Sequence, residues 1–69
     1  MTTSVARITT ITARSSTSFE DAVQAGLARA SSTLRNVQSA WVKEQKIDVR
    51  DGVASAYQVT LEVTFVLED

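Results

Sequence analysis

Apolar and polar positions recur with two different periods along this chain, and each change of period marks a boundary between elements. Over residues 4–12 (SVARITTIT) β-branched residues alternate, with Val5, Arg7, Thr9 and Ile11 on one side and Ala6, Ile8 and Thr10 on the other. That is the pattern of a strand. Residues 13–17 (ARSST) read as a short polar connection. Over 18–36 the apolar residues Phe19, Ala22, Val23, Leu27, Ala30 and Leu34 return at three- and four-residue steps, which predicts a helix with one apolar stripe. Its start is marked by Ser/Thr-x-x-acid spacing, either Thr17 with Glu20 or Ser18 with Asp21. Acids at the first turn and Arg29 and Arg35 near the far end match the helix dipole. Gly26 falls mid-helix, where it costs about 1 kcal/mol relative to alanine, so close packing against a strand is its simplest explanation. Asn36 is a natural stop.

Residues 37–50 (VQSAWVKEQKIDVR) and 53–68 (VASAYQVTLEVTFVLE) flank Asp51-Gly52, a strong hairpin signal. In the last strand Val53, Tyr57, Val59, Leu61, Val63, Phe65 and Leu67 point one way. Ala54, Ala56, Gln58, Thr60, Glu62, Thr64 and Glu68 point the other. A two-residue loop then sets Ser39, Trp41, Lys43 and Gln45 beside Thr64, Glu62, Thr60 and Gln58, on the face away from the helix. Ala40 and Val42 join the apolar face. A β-bulge would flip this assignment beyond it. The predicted fold is α+β, in the order β-α-β-β: one domain over 1–69, a three-stranded antiparallel sheet with a single helix packed on one face.

Size and composition then narrow the function. At 69 residues and 7.5 kDa, with neither cysteine nor histidine, the chain has no disulfide, thiolate metal site or His-dependent catalysis. So small a domain buries only about 60% of its unfolded surface, and oligomerisation is the stabilising device that remains. One helix cannot cover both faces of a long twisted hairpin, so the other face must meet water, another copy or a ligand. The net charge is −1 with no basic run, which argues against nucleic-acid binding. No apolar stretch approaches the roughly 20 residues of a membrane span. With no secretory pattern near the N-terminus, the expected compartment is the cytoplasm.

Candidate chemistry is sparse. The acids show no catalytic spacing; Asp48, Asp51 and Glu68 are oxygen donors for a hard cation or, more simply, solvated charges. Gly26 and Gly52 are the only glycines, so there is no phosphate-cradling loop. Trp41, the single tryptophan, sits on the polar strand face among Ser39, Lys43, Gln45 and Glu62. It reads either as a subunit-interface aromatic or as a stacking platform for a planar ligand. Gln58, on the same face, offers a paired donor and acceptor.

Taken in order, these segments resemble dodecins, small flavin-binding proteins that assemble as hollow dodecamers. The likeness is carried by SSTSFEDAVQAGLARASSTLRN, then Asp51-Gly52, Tyr57-Gln58-Val59-Thr60-Leu61, and the ending Phe65, Leu67, Glu68, Asp69. It spans nearly the whole chain. The resemblance implies a flavin of the riboflavin or FMN type held by an assembly of identical subunits, with no enzymatic turnover. It implies that Gln58 hydrogen-bonds the isoalloxazine edge. The family's Trp-Phe pair, whose Trp stacks on the flavin, is replaced here by Ser39 and Ala40. An Arg common near the end in bacterial members is Val66, and the glycine ahead of the helix loop is Ala13. Trp41, two residues past Ser39, points to the same face about 7 Å away and can supply a shifted stacking surface. Dodecins also include a calcium-associated subgroup, so a flavin-free assembly that binds Ca²⁺ is the alternative.

Overall fold

A computed structural model describes residues 3–67; the expected strand end at Glu68 and the terminal Asp69 lie outside the described residues. The elements are β1 (Ala6–Ser15), α1 (Phe19–Thr33), β2 (Val37–Arg50) and β3 (Val53–Val66). The three strands form one antiparallel sheet in the order β1-β3-β2. The last strand is therefore the middle one, in keeping with its clean alternation: Val59, Leu61 and Val63 are fully buried under α1.

From the helix side, Ala22, Gly26 and Ala30 form the buried spine. Ile11, Ala13, Phe19, Val23, Leu27 and Leu34 pack around the core. The expectation for Gly26 holds: a Cβ there would sit 3.1 Å from Leu61 Cδ1 and 3.3 Å from the Ala13 Cβ. The missing side chain is what lets α1 lie this close to β1 and β3.

β1 runs three residues beyond the expected strand, because Ala13, Arg14 and Ser15 pair with Val59, Gln58 and Tyr57. Ladder pairing outweighs the polar composition that suggested a connection there. Ser15 is buried, and its hydroxyl donates to Asp21 Oδ2 at 2.7 Å while accepting from the backbone N–H of Thr17 and Ser18 at 2.9 and 3.3 Å. Of the two predicted caps, Ser18 is the one used: its Oγ accepts from the Asp21 N–H at 3.0 Å. The capping box is not reciprocal, since the Asp21 carboxylate turns to Ser15 instead of back to Ser18.

The helix also ends before its predicted limit. The Ser32 and Thr33 hydroxyls bond back to the Arg29 carbonyl at 2.7 and 3.5 Å, an arrangement that competes with helix continuation. Leu34 is the extended C-cap, its N–H donating to the Ala30 carbonyl at 2.8 Å. Asn36, at φ 59°, turns the chain into β2. The last helical turn carries no basic residue, so the expected dipole match by Arg29 and Arg35 is absent at that end.

Asp51 and Gly52 close the hairpin with φ of 53° and 78°, the double positive φ of a type I′ turn. The β2–β3 ladder is interrupted three times, between Val37 and Ser39, Val42 and Glu44, and Asp48 and Val49. Val53, expected on the helix-facing side, lies instead on the face away from α1 and is 68% exposed. The register shift between Asp48 and Val49 places Ser55 as an extra residue and sets Val53 opposite Arg50. The molecule is a long wedge, 55 × 19 × 13 Å, with a radius of gyration of 14.4 Å. About 11 Å is expected for a compact chain of this length.

Candidate functional site

The sheet face turned away from α1 is organised in rows that cross β1, β3 and β2. Ile8, Thr64 and Ser39 form one row; Thr10, Glu62 and Trp41 the next; then Thr12, Thr60 and Glu44; then Arg14, Gln58 and Lys46. Ser39 and Trp41 stand opposite Thr64 and Glu62, as the sequence predicts. Beyond Val42 the prediction fails. Lys43 is an extra residue bulged out of β2, so Glu44 and Lys46, in place of Lys43 and Gln45, lie beside Thr60 and Gln58. The polar run Lys43-Glu44-Gln45-Lys46 contains no apolar residue to report which way each side chain points, so the alternation carries no trace of the slip.

Trp41 is 65% exposed, its ring open to an incoming surface. Ser39 is exposed and Gln58 half-buried on the central strand. Next to Gln58, just past the Lys43 bulge, a shallow depression of about 380 Å³ is lined by Glu44, Gln45, Lys46 and Thr60. Arg14, expected in a loop, is instead Gln58's neighbour on β1 and forms an ion pair with Asp48 on β2. Because Asp48 pairs with Ala56, this contact crosses the middle strand where its side chain is smallest. A weaker pair, Lys43 Nζ to Glu62 Oε2 at 3.9 Å, lies close to Trp41. Both are solvent-exposed and fix side-chain positions more than they add stability.

Cation ligation has no comparable geometry. Asp48 is engaged by Arg14, Asp51 sits in the hairpin turn, and Glu68 lies outside the described residues. Among the described residues no group of three or more acidic side chains comes together.

The family model for dodecin matches residues 5–68, almost the full length. The chain belongs to the dodecin family. Among curated proteins, dodecin of Thermus thermophilus is 45% identical over 51 residues, covering 74% of each chain. Among solved structures, dodecin from Streptomyces coelicolor superposes with a TM-score of 0.92 at 30% identity, covering 100% of this chain and 99% of its own. The calcium dodecin of Mycobacterium tuberculosis, described as having a novel calcium-binding site, gives a TM-score of 0.81 at 31% identity. It covers 94% of this chain and 93% of its own. The α+β fold derived above is thus the dodecin fold.

The spacing of the three candidate residues on that fold has a consequence. Trp41 and Gln58 share a face, yet the row of Trp41 is four β3 residues from the row of Gln58, or about 13 Å. Ser39 is two residues farther, at about 20 Å. In one copy a stacked ring on Trp41 and a hydrogen-bonded edge at Gln58 are far apart.

Proposed function

We propose that this dodecin is a flavin-binding storage or sequestration protein, assembling from identical copies into a hollow dodecamer in the cytoplasm. The observation that carries the reading is the uncovered sheet face, on which an exposed indole and a half-buried amide stand on the same side, four β3 residues apart. Trp41 would offer a π-surface to the isoalloxazine ring, worth about 0.5–1.5 kcal/mol beyond the area it buries. Gln58 would pair its donor and acceptor with the ring edge. The residues fit the group, and they fit it best with Trp41 and Gln58 contributed by facing copies. Nothing in this constellation turns a substrate over. A bound flavin would be held and its excited state quenched by the stacked indole.

The competing reading is a flavin-free assembly that binds calcium. Ser39, where other dodecins present an aromatic, speaks for it; the engagement of Asp48 by Arg14 speaks against the metal. Riboflavin titration followed by fluorescence quenching separates the two. Wild type is expected to quench, Trp41→Ala to bind up to about tenfold more weakly, and Ser39→Trp to bind more tightly. If Trp41→Ala loses nothing and Ser39→Trp gains nothing, the outer face is not a flavin site. Calcium-dependent heat release, abolished by a chelator, would then favour the alternative.

A further inference from the structure

Arg14 and Asp48 join the two outer strands across the middle one. Arg14 pairs with Gln58 between β1 and β3, and Asp48 pairs with Ala56 between β2 and β3. The guanidinium therefore reaches over β3 beside Gln58, where the methyl of Ala56 leaves it room. Asp48 is held in turn, since its carbonyl accepts from the Ser55 hydroxyl at 3.1 Å. A long side chain that would otherwise sample many rotamers is thus anchored, Nη2 donating to Asp48 Oδ2. On the other side of Gln58, Lys46 makes no ion pair among the described residues.

Charge and donor count decide what this anchored Arg14 can recognise. A lone guanidinium attracts anions. Beside Asp48 the pair carries no net charge and stands in solvent, so its pull on a phosphate or carboxylate is weak. Glu44 and Lys46, two residues apart on the same strand face, balance each other likewise. What remains is direction. A guanidinium has five N–H donors, and the contact with Asp48 is made at Nη2 alone, leaving the others for a neutral acceptor. Gln58 is half-buried, and among the described residues its amide makes no hydrogen bond. Neighbouring strands lie about 4.8 Å apart, which sets the two side chains next to each other. The guanidinium favours the amide oxygen of Gln58 on its own side and the NH₂ on the far side. The groups then run donor, acceptor, donor.

We propose that Arg14 is a specificity-determining residue of the outer face, and that with Gln58 it selects a neutral ring edge carrying carbonyl, N–H and carbonyl in that order, a cyclic imide. This rests on the flavin reading, because the isoalloxazine ring presents such an edge. It assigns the second carbonyl to Arg14 and gives the phosphate of FMN no part in that contact.

Titration with riboflavin and FMN, joined to infrared spectra of the bound ring, tests the assignment. Arg14→Met keeps most of the stem and removes every donor. It should bind riboflavin about tenfold more weakly, as for loss of one charge-assisted hydrogen bond, and FMN with the same loss. A ring carbonyl stretch lowered in wild type should return to higher frequency in this variant, a shift that a merely structural role for Arg14 would not produce. Arg14→Lys, which keeps donors without the planar fork, should recover part of both effects. In 3-methylriboflavin the imide N–H is replaced by a methyl group, and wild type should bind it poorly. An unmoved carbonyl band in Arg14→Met, whatever its affinity, overturns the role of Arg14 and leaves the flavin reading standing. So does a loss confined to FMN, since Arg14 would then serve the phosphate. A wild-type chain that binds no riboflavin overturns both.

Discussion

Two side chains, one present and one missing, hold the helix at its working distance from the sheet. The Ser15 hydroxyl satisfies two backbone N–H groups and engages Asp21 in a buried setting. Ser15→Ala removes all three contacts and leaves donors without partners, which should cost about 1–3 kcal/mol. The fall in urea midpoint at fixed protein concentration measures it, and an unchanged midpoint would show that water replaces the hydroxyl. Gly26 is a contest between two effects. Alanine would gain about 1 kcal/mol in helix propensity, but overpacking a filled core costs about 1–3 kcal/mol. Leu61 is fully buried and the Ala13 Cβ is fixed to a paired strand, so neither yields easily. Gly26→Ala should therefore be net destabilising by about 1 kcal/mol; a raised midpoint would mean that the Leu61 side chain moves aside.

For whole elements, the sequence is most legible where burial enforces the period. The stripe from Phe19 to Leu34, the alternation from Tyr57 to Phe65 and the Asp51-Gly52 turn each predict what forms, because each is one-sided and apolar or needs a left-handed residue. It is least legible where both faces are polar. β1 continues through Arg14 and Ser15 because β3 is there to pair with, a long-range cause invisible in five residues of local composition. The bulge at Lys43 is hidden for the same reason, and with it the neighbours Glu44, Lys46 and Arg14 that surround Gln58. Trp41 and Gln58 themselves stand out by residue type, and the structure keeps them on one face. If Lys43 is truly the extra residue, deleting it should straighten β2 without changing the pairs on either side. Cross-strand nuclear Overhauser contacts between Glu44 and Thr60 and between Lys46 and Gln58 are expected to survive the deletion. Their replacement by contacts of Gln45 to Thr60 would show that the slip lies elsewhere.

The molecule as a whole leaves much of its apolar surface uncovered. Among the described residues, five hydrophobics form the buried core while eight large ones remain exposed, so on the proposed self-assembly the hydrophobic driving force is divided between folding and association. Stability should then depend on concentration, since copies that bind only the folded state draw the folding equilibrium toward it. For a large assembly each tenfold dilution removes close to 1.4 kcal/mol per chain. A chain of this size changes its melting temperature by roughly 4–8 °C per kcal/mol. Reversible melting over a hundredfold range of concentration should accordingly shift by about 10 °C or more, with helix signal and scattering mass lost together. Riboflavin should raise the whole curve in wild type and less in Trp41→Ala, because a ligand held between facing copies stabilises the assembly. A melting temperature independent of concentration, together with a monomer's mass, would mean that this wedge folds alone and that its outer face is not a site shared by two copies.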